Sequence, residues 1–411
     1  MLLKAINLNI GGKINMLSII NAQIITPVGI LEKGFVTIKE GLITAVTAGD
    51  FKGVSSANNA VVDAQGLFLS PGFIDIHVHG GGGADFMDNE VDAYLQIAKT
   101  HAQFGTTSLL PTTLTSDTES LLTTFEVYQQ AQLLNKQQGA SFLGLHLEGP
   151  YFAMAQRGAQ DPRYIRNPNP QEYEYILAHY KSIIARWSAA PELPGALAFA
   201  RRLREEGIIA ALGHTDAVYE EVLAGLENGF NLATHLYSGM SGMTRKNAYR
   251  YAGAIESCLL IDAIDVELIA DGIHLPEPFL KLICKVKPAD SIILITDAMR
   301  AAGTTATKSI LGSTKDGVEV VIEGGVAKLP DRSSFAGSVA TADRLIRTMM
   351  QAAAISLPQA IKMLTSNPAR VLGRQHEIGA IAEGMQADLV LFDKDIIIQR
   401  TMVAGKWVFE R

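Results

Sequence analysis

From residue 71 onward the chain alternates strand-like apolar runs with amphipathic helix-like segments, and it does so eight times. The strand-like runs cover residues 73–79, 106–111, 142–148, 182–187, 208–214, 231–235, 266–271 and 291–297. Segments 91–103, 116–137, 197–206 and 218–228 supply crossover helices between them. Such a repeat leaves few solutions. Eight β/α units predict an α/β fold of the closed parallel (β/α)8 TIM type, with chemistry at the C-terminal ends of the strands. Residues 17–70 read instead as short β-rich runs broken by turns. Strand patterns return after about Gly379, in Ala387-Asp-Leu-Val-Leu-Phe-Asp and Thr401-Met-Val-Ala-Gly-Lys-Trp-Val-Phe. Residues 1–70 and 374–411 are therefore expected to form a second, small β domain, and 71–373 the barrel.

The ends of those eight runs carry an unusual set of side chains. The first ends in His77 and His79, which share a face because strand side chains alternate. The third ends in Glu148, the fifth in His214, the sixth in His235 and the eighth in Asp297, while His274 follows the seventh. Five of the nine histidines fall at these ends, which points to a metal centre rather than to scattered core imidazoles. His101, His146, His179 and His376 read as structural or solvated, with His146 one layer beneath Glu148 as a supporting partner. The glycine run Gly80–Gly83 reads as a flexible loop over the site.

Composition narrows the function classes. A net charge of -7 gives no general attraction to nucleic acid or anionic membrane, so any anion must be met by a local cluster of cations. No apolar run is long enough to span a bilayer. Two cysteines, Cys258 and Cys284, have neither ligand spacing nor a disulfide framework, which suits the cytoplasm. Met16 begins a cleaner strand pattern than Met1, so residues 1–15 read as an extension.

In this order, Pro71-Gly-Phe-Ile-Asp-Ile-His-Val-His-Gly, His146-Leu-Glu-Gly-Pro150, Gly213-His214-Thr215, Thr234-His235-Leu236-Tyr237, Ala270-Asp-Gly-Ile-His274 and Thr296-Asp297-Ala298 resemble the amidohydrolase superfamily. Together with Phe335-Ala-Gly-Ser338, Asn367-Pro-Ala-Arg370 and Gly384-Met-Gln-Ala-Asp-Leu-Val, they sharpen the match to the N-acetylglucosamine-6-phosphate deacetylases, from about Met16 to the C-terminus. The resemblance implies a barrel joined to a β-sandwich built from both chain ends, and a cytoplasmic homodimer acting on an amino-sugar phosphate. It implies a divalent metal, zinc for preference, held by Glu148, His214 and His235. His77 and His79 would open a second metal site. Asp297 would serve as acid and base, and His274 would meet the substrate carbonyl. Further substrate contacts are implied for Ala159, Ser238, Gly239, Phe335, Ala336 and Gly337.

Three departures stand out. The family's Asn-Ala-Met after the strand-six histidine is Ser238-Gly239-Met240 here, and Gln160 stands where a histidine is common. The family's phosphate-binding Arg-Glu-Pro-Gly is replaced by Met243-Thr-Arg245-Lys246-Asn-Ala-Tyr-Arg250. Arg245, Lys246 and Arg250 are the cations expected to take over the phosphate, reaching into a partner subunit. A deacetylase of a galactosamine or an unphosphorylated sugar, and a non-catalytic sugar-binding barrel, are the competing readings.

Overall fold

The structure is a computed structural model and describes residues 16–53, 55 and 59–411; the extension expected at 1–15 lies outside them. Eight strands and their helices follow one another as β1 (Phe73–Val78), α1 (Val91–Ala102), β2 (Thr106–Pro111), α2 (Thr118–Leu134), β3 (Leu145–Glu148), α3 (Pro170–Tyr180), β4 (Ile184–Ala189), α4 (Ala196–Glu205), β5 (Ile209–Leu212), α5 (Tyr219–Asn228), β6 (Phe230–Ala233), α6 (Ala254–Leu260), β7 (Asp265–Leu268), α7 (Glu277–Val286), β8 (Ile292–Leu294) and α8 (Ala342–Thr348). Strands β3 to β8 pair in sequence as a six-stranded parallel sheet, and β1 pairs with β2, also in parallel. The two sheets curl toward each other and meet at both edges. Thr112 bridges His146 in parallel, and Val78 bridges Ala298 in parallel. The amide of Asp297 donates to the carbonyl of His77 at 2.9 Å, so the first and last strands are tied at the level of the expected ligands.

Local chemistry explains where the elements start and stop. Asp117 caps α2 by accepting from the amide of Ser120 at 2.9 Å, and Asn169 caps α3 ahead of Pro170, which needs no amide partner at that position. The run expected as one strand over 142–148 breaks at Gly144, whose φ of 124° is open to glycine. Its first part, Ser141–Phe142, pairs with β2, and the remainder is β3. Strands β5, β6 and β8 end two or three residues earlier than their apolar runs suggest. The chain turns inward there, with His214, His235 and Asp297 at φ of 46°, 32° and 47°.

One core cluster joins the parallel strands to the helices, with Phe86, Tyr94, Phe125, Tyr128, Trp187, Phe199 and Phe230 all fully buried. Each such side chain contributes roughly 1.5–3 kcal/mol of burial, which holds the strand ends rigid. A second cluster lies in the sheet formed by the chain ends. Its strand order is Lys406–Glu410, Ile398–Val403, Leu389–Phe392, Phe68–Pro71, Met16–Thr26, Gly29–Lys39 and Leu42–Ala48, with Asn59–Asp63 beside Met16–Thr26. Ile19, Ile24, Val36, Leu69, Leu389, Leu391 and Met402 are buried there. The strands at 68–71 and 389–392 are antiparallel neighbours, so the two chain ends do share one sheet.

Two features differ from the sequence reading. The stretch at Gly80 is no loose flap: Gly80–Gly81 and Ala84–Asp85 form a short antiparallel ribbon buried against α1. A Cβ on Gly81 would stand 2.9 Å from Nε2 of His101, so the glycine is there for close approach. After β8 the chain adds a three-stranded antiparallel sheet, Lys308–Leu311, Val318–Glu323 and Val326–Lys328, which the reading of eight β/α units did not include.

Candidate metal centre and active site

Glu148, His77, His79, His214, His235 and Asp297 converge at the strand ends, and all six are buried. Glu148 is central. Its Oε1 lies 2.9 Å from Nε2 of His235, 3.3 Å from Nε2 of His214 and 3.5 Å from Nε2 of His77. Its Oε2 lies 3.3 Å from Nε2 of His79. Oδ1 of Asp297 approaches the Nε2 atoms of His77 and His79 at 3.4 and 3.2 Å. Among the described residues two triplets have donor atoms close enough together to share one ion: His77, Glu148 and His235, and His77, His79 and Asp297; the trio Glu148, His214 and His235 expected for the principal ion is not one of them.

The donor chemistry fits a divalent cation. Nε2 of His77 and Nε2 of His79 stand 3.3 Å apart, and two nitrogen lone pairs that close, flanked by two carboxylates, are favourable only around a shared positive charge. The same logic appears in the titration of the cluster. Burial opposes protonation of His77, yet Glu148 and Asp297 push it up to about 9. Burial likewise opposes the charge on Glu148, but His77, His214 and His235 hold it well below the usual carboxylate range. Asp297 is held low, against burial, by His77 and His79.

The remaining ring nitrogens are mostly fixed from behind. Nδ1 of His214 meets the carbonyl of Gln156 at 2.8 Å, Nδ1 of His79 the carbonyl of Thr112 at 3.3 Å, and Nδ1 of His77 a carboxylate oxygen of Glu267 at 3.4 Å. Nδ1 of His235 is buried without a partner among the described residues. Glu267 is itself paired with the buried Arg186, and its Oε2 also accepts from the amide of His235. Asp75 accepts from the hydroxyl of Thr296 at 2.5 Å and from the amide of His77, tying β1 to the segment that carries Asp297. Nδ1 of His274 lies 2.8 Å from a carboxylate oxygen of Asp271, and its ring packs against Phe335 with 4.5 Å between centroids. His146 lies beneath, with both ring nitrogens engaged by Thr112 and Ser188.

The other expected site residues divide. Gly239, at φ 56°, packs so tightly that a Cβ would lie 2.7 Å from Nδ1 of His214. The half-buried Ser238 donates its amide to the carbonyl of His235 at 3.0 Å. Gly337 lies behind Asp297, and the amide of Ser338 donates to the carbonyl of Asp297 at 2.7 Å. Ala336 is fully buried in the packing around the inserted sheet, and Ala159 lies at its edge. Arg245, Lys246 and Arg250 are not brought to this centre. They lie on an exposed hairpin, Thr244–Lys246 and Tyr249–Tyr251, and make no ion pair among the described residues. Asp75, Glu267, Arg186 and the Gln156 carbonyl were not singled out from the sequence. Asp75 was within reach of the same alternation that exposed His77 and His79; the others depend on contacts between distant strands.

Residues 68–408 match the amidohydrolase family. The chain is 35% identical over 351 residues to an N-acetylglucosamine-6-phosphate deacetylase of Lysinibacillus sphaericus, covering 84% of this chain and 86% of the relative. It is 31% identical over 385 residues to an N-acetylgalactosamine-6-phosphate deacetylase of Escherichia coli O157:H7, covering 93% and 97%. The crystal structure of the N-acetylglucosamine-6-phosphate deacetylase from Pasteurella multocida superposes with a TM-score of 0.88 at 29% identity, covering 96% of this chain and all of that one. With its metal-type donor cluster at the ends of a curled parallel sheet, the chain belongs to the amidohydrolase family, in the branch that holds the N-acetylglucosamine-6-phosphate deacetylases.

Proposed function

We propose that this protein hydrolyses the acetamide of N-acetylglucosamine 6-phosphate, releasing acetate and glucosamine 6-phosphate. The observation that carries the reading is the convergence of Glu148 and four imidazoles on one side with Asp297 on the other. In this reading the parallel strands complete a (β/α)8 barrel, and the chain-end strands form the small β-sandwich domain. The active form is a cytoplasmic homodimer. Glu148, His214 and His235 would hold the principal divalent ion, zinc for preference. His77 and His79, together with Glu148, would hold a second.

A divalent ion bound there would supply Lewis acidity to the amide carbonyl and to the attacking water. The chain's own residues do the rest. Asp297, kept ionised by His77 and His79, accepts the proton of the attacking water and returns it to the departing nitrogen, so that the amine leaves neutral. Asp271 accepts from Nδ1 of His274, which fixes the ring and leaves Nε2 for the substrate's carbonyl oxygen or a hydroxyl. Phe335 packs on that ring. Ser238, Gly239 and Ala159 border the sugar, and Arg245, Lys246 and Arg250 supply the phosphate contact from the neighbouring subunit.

Acetate release from N-acetylglucosamine 6-phosphate, N-acetylgalactosamine 6-phosphate and plain N-acetylglucosamine, with zinc-loaded protein, tests the assignment. The highest kcat/KM is expected on the first. A clear preference for the galactosamine phosphate would transfer the protein to the reading favoured by its 31% identity to that enzyme. No acetate from any of the three would leave a non-catalytic barrel.

A further inference from the structure

We propose that Gln160 is a positioning residue for Glu148, fixing the rotation of its carboxylate so that one oxygen faces His214 and His235. The inference rests on the reading of Glu148 as a metal ligand. Gln160 is 5% exposed, and both ends of its carboxamide are engaged. Its Nε2 donates to Oε2 of Glu148 at 2.8 Å, and its Oε1 accepts from the buried amide of Thr115, also at 2.8 Å. Only one orientation of the amide works. Turned over, it would set oxygen against carboxylate and N–H against N–H. The Thr115 amide therefore dictates that an N–H faces Glu148, and Oε2 is tied on that side while Oε1 faces His214 and His235.

The segment that carries Gln160 also grips a second member of the cluster. It leaves β3, makes a short helical turn at Met154–Gln156, and offers the Gln156 carbonyl to Nδ1 of His214 at 2.8 Å. The turn is closed on itself, with the amide of Gln160 donating to the carbonyl of Arg157 at 3.0 Å. One loop thus fixes the carboxylate and the imidazole that face each other across 3.3 Å. Outer hydrogen bonds of this kind typically change metal affinity about 10–100-fold when removed.

Zinc affinity of apo protein, measured by competition with a chromophoric chelator, tests the proposal without recourse to activity. Gln160→Leu keeps the volume and loses both bonds, and about 10–100-fold weaker zinc binding is expected. Gln160→His should restore the affinity to near that of the parent, because a neutral imidazole has one acceptor nitrogen for Thr115 and one N–H for Glu148. Should the leucine variant fail to fold, Gln160→Asn, one methylene too short to span both partners, takes its place with the same expected loss. Parent-like affinity in the leucine or asparagine variant overturns the proposal, as does an equal loss in the histidine variant, which would mark a packing role. Glu148→Ala is measured alongside. Unchanged zinc affinity there would overturn the ligand assignment of Glu148 itself, whereas a large loss there with none at Gln160 removes only the present inference.

Discussion

At Asp297 a carboxylate sits in left-handed backbone, φ 47°, where a β-carbon is disfavoured, and His214 and His235 are held in the same region. Three such residues in one cluster mean that the surrounding packing enforces their direction. If Asp297 moves the proton, Asp297→Asn should retain the fold and most bound zinc and lose turnover by about 100-fold or more. Normal turnover in that variant would reduce Asp297 to a ligand or a structural group. Gly239 gives a second handle, because it buttresses the other side of the centre. In Gly239→Ala the new Cβ would collide with Nδ1 of His214 and, at 2.9 Å, with the Gln156 carbonyl, in a backbone conformation that alanine resists. Zinc binding should weaken about 10–100-fold, as for loss of an imidazole's outer partner. Chelator competition reads it directly, and parent-like affinity would mean that His214 contributes little to the ion.

At the scale of elements, the hairpin of residues 244–251 bears on substrate choice. Arg245 and Arg250 are cross-strand partners, and Asn247 and Ala248 turn the chain with positive φ. Two like charges opposite each other destabilise a hairpin, and neither arginine is ion-paired among the described residues, so an anion bound between them would relieve the repulsion. Arg245→Ala should raise KM for the 6-phosphate substrate and leave the slow turnover of the plain sugar nearly unchanged, since only the phosphate contact is lost. Equal effects on both sugars would assign the hairpin a structural role. This element also shows where sequence reading runs out. The strand-end cluster was legible because period-two alternation and apolar runs mark strands and their ends, as at His77 and His79. The hairpin is polar and fully exposed, so no burial pattern announced it. The Arg186–Glu267 pair under His77 was equally hidden, because it joins strands 81 residues apart and only the curl of the sheet brings them together.

For the molecule as a whole, the junction between the chain-end sheet and the parallel strands contains a group that opposes folding at neutral pH. The carbonyl of Asp388 accepts from the amide of Gly72 at 2.8 Å, just before β1 begins. Its side chain is buried, and that burial pushes the carboxyl up to about 6. The amide of Ala404 at 2.7 Å and Nε2 of Gln386 at 3.0 Å offset only part of the desolvation. With the folded value above the unfolded one, the native state binds the proton more tightly. Stability from this group is therefore lost as pH rises from about 4 to 6, and the loss is constant above that. A shift of about two units corresponds to about 3 kcal/mol. In Asp388→Asn the side-chain oxygen still accepts from Ala404, and Gln386 needs only to turn its amide to receive the new N–H, so the penalty disappears without a new unsatisfied group. The variant's unfolding free energy relative to the parent should accordingly climb by about 3 kcal/mol between pH 4 and pH 7, as read from denaturant titrations at each pH. Parallel curves for the two proteins would show that Asp388 is solvated or paired well enough to ionise freely, and that the junction carries no such cost.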